Sequence, residues 1–481
     1  MKKYNILIAL LLLIGFNSCD DKLELEPHQS VSYDAAFETT KDFEIGLLGA
    51  YSEMRDLGVY GGYDLMYADV AADNLIQSNT GRLTLSTIQD WSWSSSHYYP
   101  ASFWADTYDA INVVNGVLDQ IEGFSYEETD EEFMNQIEGE ALAVRALLHL
   151  NLVRYFGKTY NKADADDLGV PYMKESIVSS PARETVQSNY QDIRSDLESA
   201  LTLMSESYDA NKPQRITIQA VNAILARMYM DMHMFGDAAD AAVAAIDGEE
   251  PVSGADFAAI WTDESNDGVL FKVAITEKDG QEIGNEFSQT GPDGTKSEYV
   301  VDFDLYSKFQ STDIRFSEYI ETSGFEGFMY NNVSKYFGRP GATATPNLVD
   351  AKVIRLAEMY LTAAEAYYKD GNEADAIIYL DDLREKRYSD YTPSTETGDA
   401  LLQKIYLERR LELAFEGDRF FFLKRTNQPV ERVDLGTQND DGVRPYPVLT
   451  LTDDDHRWQL PIPLDELNAN TNEGMTQNPG Y

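Results

Sequence analysis

The 481-residue sequence predicts an all-α, mainly helical fold, and three observations carry that expectation. Long stretches repeat apolar residues at helical spacing, and several of them are joined by tight glycine-containing turns. Alanines on the joined segments let neighbouring helices approach closely. Two long stretches interrupt the pattern, at about 58–103 and 248–351, where Gly, Ser, Thr, Asp and aromatic residues follow no period. Loops of that length in a compact protein carry function.

The chain starts with Lys2 and Lys3, an uncharged run from Tyr4 to Phe16, and then Asn17, Ser18 and Cys19. A basic start, a short apolar core and a small residue before the break are the parts of a secretory signal, here 1–18. The run is shorter than the roughly 20 residues that a permanent bilayer span needs. The remainder, 19–481, is expected to form a single domain. Its only cysteine is Cys19, so no intrachain disulfide can form and stability must come from the core.

Helices are predicted at about 41–57, 106–122, 133–156, 186–204, 216–235, 237–247, 352–370, 373–388 and 399–416. Gly236 and Asp237 separate one antiparallel pair, and Gly371 and Asn372 another. Ala223, Ala226, Ala239, Ala242, Ala363 and Ala364 line these pairs, which resemble tetratricopeptide (TPR) packing over about 133–247 and 352–388. No clean 34-residue repeat recurs.

Acidic residues outnumber basic ones 83 to 38, a net charge of −45 distributed along the chain. Nucleic acid and anionic lipid are disfavoured partners in such a field, and 43% hydrophobic content argues against disorder. There is no His-Glu-x-x-His, no Gly-x-Ser-x-Gly and no phosphate-cradling glycine loop, so no metal, cofactor or nucleophile is implied. His149 and His233 fall within predicted helices and read as packed imidazoles. Asp453–Asp455 and Asn439–Gly442 read as solvated acidic loops, since neither has the spaced oxygens of a calcium loop. A glycosidase needs only two carboxylates flanking a bond, which keeps a helical glycoside hydrolase open as an alternative.

The most informative stretch is Lys404–Arg425, KIYLERRLELAFEGDRFFFLKR. Leu407, Leu411 and Phe415 form one apolar stripe, while Glu408, Glu412 and Glu416 recur every four residues. Such a like-charge ladder repels unless cations are laced through it, so Lys404 is expected to meet Glu408, Arg409 to meet Glu412, and Arg419 to meet Glu416. This is a salt-bridged structural helix, not a set of catalytic carboxylates.

That block resembles the signature of the SusD/RagB family of surface glycan-binding lipoproteins. So do Arg355–Tyr367, Glu140–Gly157, the Pro461–Pro463 run with Glu466 and Asn470, and the Gln477–Tyr481 terminus. The resemblance extends from about Cys19 to Tyr481, with 399–481 as its C-terminal signature region. It implies a SusD-like fold with TPR-like pairs, and loops that carry the binding site. It also implies that Cys19 is acylated and that Asp20 and Asp21 direct the lipoprotein to the extracellular face of the outer membrane. The implied activity is non-catalytic binding of an oligosaccharide and its delivery to a SusC-like TonB-dependent transporter. A TPR scaffold binding peptide or protein, as in relatives of the RagB kind, is the competing reading.

Sugar rings present flat C–H faces that stack on aromatic rings, and their hydroxyl edges pair with Asp, Asn and Arg. Trp91 and Trp93 alternate with Asp90, Ser92 and Ser94, so on an extended loop both rings would share one face as a two-ring platform. Asp73 and Arg82 lie at spacings that resemble the polar partners of the family's starch-binding member. Tyr98 and, from the second irregular stretch, Tyr330 complete the expected glycan-binding set. Trp104 is expected in the core, because it precedes a Tyr108, Ile111, Asn115 pattern that resembles a family packing motif.

Overall fold

A computed structural model describes residues 36–205, 213–433 and 442–481, apart from 281, 292, 340–344 and 346. Cys19 and the expected signal lie outside the described residues. Among the described residues nine long helices form close to their predicted places: α1 (Thr40–Glu53), α3 (Tyr98–Ile121), α4 (Glu131–Phe156), α5 (Val186–Leu203), α6 (Ile218–Asp231), α7 (Phe235–Ile246), α8 (Leu356–Lys369), α9 (Glu373–Glu385) and α10 (Asp399–Glu412). Two shorter ones, α2 (Tyr63–Ala71) and α11 (Arg419–Arg425), complete the set used below. Local chemistry starts several of them. The Thr185 and Thr217 side chains accept from Ser188 and Ala220 N–H at the first turns of α5 and α6, and Asn372 caps α9 through Asp375 N–H. The helices stack in sequence, α4 on α5, α6 on α7, α7 on α8 and α8 on α9. Ala223, Ala226, Ala239, Ala242, Ala363 and Ala364 are all buried at these contacts. Among the described residues no helix is long and apolar enough to cross a membrane.

The two stretches expected to be irregular are more ordered than their composition suggests. The first holds α2, strand β1 (Leu75–Gln77) and the start of α3; the second holds β2 (Val269–Val273), β3 (Ser288–Gly291), β4 (Gly294–Ser297), β5 (Tyr299–Val301), β6 (Ile320–Phe325), β7 (Phe328–Val333) and β8 (Ala351–Arg355). They meet in an antiparallel sheet of order β1-β5-β7-β6, where Leu75 opposes Val301 and Gln77 opposes Tyr299. Strand β8 pairs with β2 and runs straight into α8. Hydropathy alternation missed β1, β2, β5 and β8 because they are buried on both faces, with no polar side to alternate. One buried cluster extends from Phe43 to Met475, and a small satellite of Ile76, Val300, Tyr330 and Val443 lies under the sheet.

The glutamate ladder of α10 is laced with cations, but not with the expected ones. Glu412 binds Arg387 through Nε at 2.8 Å and Nη2 at 2.9 Å, Arg355 Nη1 at 2.9 Å and Arg315 Nη1 at 3.3 Å. Glu408 meets Arg315 Nη2 at 2.7 Å, and Glu416 takes Arg355 and Lys335, each at 2.6 Å. Lys404 instead pairs with Glu396, Arg409 with Asp418, and Arg419 with Asp73. The physical reason is burial: Glu412 has no exposed surface, so its neighbours come from packed elements rather than from its own helix face. Burial alone would raise its carboxyl, yet Arg387, Arg355 and Arg315 outweigh that and hold it well below the usual range. Leu411 and Phe415 are buried as the stripe requires, whereas Leu407 is partly exposed.

Candidate functional site

Of the six residues expected to bind ligand, four are in the interior. Trp91 and Trp93 do not form an exposed platform; 3% and 5% of their surfaces are accessible. Residues Ser86–Gln89 form a helical turn and Trp91 itself has φ of +50°, so the extended backbone that would align the two rings is absent. The Trp91 indole N–H donates to Ala71 O at 2.8 Å, and the Arg432 guanidinium stacks 3.9 Å from its ring. Trp93 donates to the Tyr481 hydroxyl at 2.6 Å, tying the C-terminus to this wall. Asp73 is buried between Arg419, at 2.7 Å, and Arg410; burial opposes its charge, but the arginines hold it well below the usual carboxylate range. Tyr330, 2% exposed, sits in the satellite cluster against Gly442. Trp104 and His149 are packed as expected: His149 stacks on Tyr172, bonds Arg145 O and accepts from Met173 N–H, and burial lowers it to about 3. His233, expected within a helix, instead lies in the turn between α6 and α7 with φ of +58°, half-buried, its Nε2 2.9 Å from Arg425 O.

Arg82 and Tyr98 remain at the surface, and the structure brings them together. Tyr98 is 61% exposed at the first turn of α3. Its ring meets Tyr63 at 6.2 Å and Tyr99 at 5.7 Å between centroids, and Tyr63 meets Tyr99 at 5.2 Å, all edge to face. The Tyr99 hydroxyl accepts from Leu85 N–H at 2.8 Å, fixing the loop that carries Arg82. Arg82 donates through Nε to Glu298 at 2.5 Å and through Nη2 to Asn285 O at 3.2 Å, while Glu286 lies 3.8 Å away. Gln289 reaches Glu298 from β3. Gly62 makes the close approach possible: its φ is +149°, and a Cβ there would lie 2.9 Å from Glu286 Cγ. Burial and the Glu286 charge push Tyr63 up to about 12, and burial raises Glu286 itself, so this face offers neutral hydroxyls beside a carboxylate and a guanidinium.

Sequence reasoning missed Tyr63, Glu286 and Glu298. Glu286 and Glu298 meet Arg82 from more than 200 residues away in the chain, Tyr63 packs on Tyr98 and Tyr99 from a separate helix, and only a double glycine before Tyr63 marked the spot. Among the described residues no group of three His, Cys, Asp or Glu side chains is arranged to hold a metal ion.

The profile of the SusD family matches residues 320–481, and a profile described as starch-binding, associating with outer membrane, matches residues 30–230. The chain belongs to the SusD/RagB family. The SusD-like protein P2 of Formosa agariphila is similar at 25% identity over the full length of both chains. The starch-binding protein SusD of Bacteroides thetaiotaomicron is 26% identical across 76% of this chain and 64% of that protein. Among solved structures, a putative sugar binding protein from Bacteroides vulgatus superposes with a TM-score of 0.79 at 28% identity, covering 93% of this chain and 99% of that one. The mainly helical SusD architecture thus accounts for the helix stack, the central sheet and the α10–α11 signature together.

In this SusD-family chain Asp64, next to Tyr63 on α2, lines an internal polar cavity of about 50 Å³ with Tyr60, Asn151, Arg154, Tyr155 and Arg227. It accepts from the Tyr155 hydroxyl and has no salt bridge among the described residues. Burial raises its carboxyl to about 7, against Tyr155, Arg154 and Arg227. Unfolded, an aspartate titrates near 3.9, so the stabilisation carried by the protonated carboxyl is complete below about pH 4 and is lost as pH rises through 7. Urea melts of wild type and Asp64→Asn should therefore diverge, the asparagine variant gaining on the order of 3–4 kcal/mol relative to wild type between pH 4 and pH 8. A difference independent of pH would mean that the folded carboxyl is already ionised.

Proposed function

We propose that this chain binds an oligosaccharide, without cleaving it, on the face formed by Tyr63, Tyr98 and Tyr99 beside Arg82, Glu286 and Glu298. The observation that carries the reading is the exposed Tyr98 ring set against a fringe of paired polar groups, the arrangement that sugar C–H faces and hydroxyl edges require. The family profile named for starch binding and the sugar-binding title of the similar solved structure support it. On the same reading Cys19 carries the lipid that anchors residues 19–481, as one domain with TPR-like pairs, to the outer face of the outer membrane. There the chain hands its ligand to a SusC-like TonB-dependent transporter. Cys19→Ala should then abolish incorporation of labelled fatty acid.

The binding site is tested by screening the purified protein against soluble polysaccharides and titrating fragments of whichever binds by calorimetry. Stacking on one ring contributes about 1–2 kcal/mol, so Tyr98→Ala should weaken binding roughly 5- to 30-fold with an unchanged melting temperature. Equal affinity in the variant would move the site elsewhere. Prolonged incubation should produce no new reducing ends; their appearance, and loss with a single Asp or Glu substitution, would establish a hydrolase instead.

A further inference from the structure

Two other features of the surface hold less. A cavity of about 720 Å³ lies between residues Lys158–Leu168 and the C-terminal strand of chain, but its buried Arg183 already donates to Gly169 O, Thr476 O, Leu168 O and Asn478. The exposed Ile177 and Val178 form a small apolar patch with nothing to name its occupant. The charge pattern around the tyrosine face carries further.

Resting on the reading of that face as a glycan site, we propose that it selects uncharged glycans and excludes sulfated and uronic-acid polymers. An anionic polymer binds by placing its charges on cations spaced along its track and releasing their counterions. The arginines that flank this face are already committed. Arg82 is held by Glu298, with Glu286 3.8 Å from its Nη2; Arg55 pairs with Asp279 at 2.8 Å; and Arg444 pairs with Asp90 through both Nη atoms.

Lys296, opposite Gln289 on the β3–β4 hairpin, has no ion pair among the described residues. With Arg82 it balances Glu286 and Glu298, which leaves the immediate site close to neutral. A sulfate or carboxylate seated at Arg82 would therefore face Glu286 and Glu298 with no unpaired guanidinium to receive it. Behind the site stands the field of a chain with net charge −45, which repels polyanions before contact. Neutral hydroxyls meet neither penalty. They can accept from the outer edge of Arg82, whose Nη1 has no partner among the described residues, and donate to Glu286.

The test is affinity electrophoresis and calorimetry with the purified protein at 20 mM and 1 M salt. The probes are neutral polysaccharides (soluble starch, laminarin, xyloglucan, galactomannan), anionic ones (polygalacturonate, chondroitin sulfate, carrageenan), and a sulfated derivative of any neutral glycan that binds. The expected result is binding of at least one neutral glycan, no binding of the anionic panel, and at least 10-fold weaker binding of the sulfated derivative at 20 mM salt. That discrimination should shrink at 1 M salt, where the Debye length is about 3 Å. Binding of an anionic polymer as tightly as any neutral one overturns the selectivity while sparing the glycan site. A discrimination insensitive to salt also overturns it, since steric blocking would then be the cause. Failure of every polysaccharide to bind overturns both.

Discussion

Glu412→Ala is expected to leave little folded protein, with a loss of at least about 5 kcal/mol in any fraction that can be purified. Breaking one buried ion pair by removing a partner costs about 3–5 kcal/mol, because the remaining charge is stranded without water. Here one carboxylate serves Arg315, Arg355 and Arg387, and these three have 0%, 2% and 2% of their surfaces exposed. Glu408 and Glu416 would still compensate part of Arg315 and Arg355, whereas Arg387 would lose its only salt bridge among the described residues. Glu412→Gln keeps shape and two acceptor lone pairs and should be milder, yet still severe, since the charge is what the arginines require. Chemical denaturation of both variants checks this ordering; a glutamine variant within 1 kcal/mol of wild type would mean that hydrogen bonding, not charge, holds the cluster.

Trp91→Ala and Trp93→Ala are each expected to destabilise by about 3–5 kcal/mol, the usual cost of emptying a large aromatic site in a packed core. Trp91 should be the worse of the two. Its ring supports Arg432, which donates to Val70, Ala71, Ala72 and Gln89 carbonyl oxygens and thereby closes the C-terminal end of α2. Burial lowers that guanidinium to about 10, and with no carboxylate bonded to it among the described residues, the Trp91 and Tyr446 faces at 3.9 and 4.4 Å flank its charge. If either variant retained wild-type stability, the ring would have to be more mobile and exposed than its contacts allow.

Helix positions were legible because they depend on a period of 3.6 that every long segment displays. Nine predicted segments correspond to α1 and α3–α10, with shifts confined to their ends, as at α3, which starts at Tyr98 rather than about 106. The ion partners of α10 were not legible, because Arg315, Arg355 and Arg387 arrive from other elements and only the fold brings them within 3.3 Å. The tryptophan platform failed for a related reason. Period-two spacing fixes side-chain direction only if the backbone is extended, and a helical turn followed by a positive φ at Trp91 removes that condition. Arg82 and Tyr98 stood out as polar and aromatic residues in a long loop, whereas Tyr63 and the two glutamates beside them became visible only once segments near 63, 82, 98 and 286–298 converged.

Stacks of helix pairs in which each touches only its neighbours unzip from an end, one pair at a time. The arginine cluster forbids that route here, because Glu412 fastens α10 at once to Arg315 from the second long stretch, to Arg355 at the end of β8 and to Arg387 just beyond α9. No one of these elements can leave without stranding charges on the others. Denaturation should therefore be a single cooperative transition across the stack, and a chain cut short before Glu412 should be recognised as unfinished by any protease that samples it.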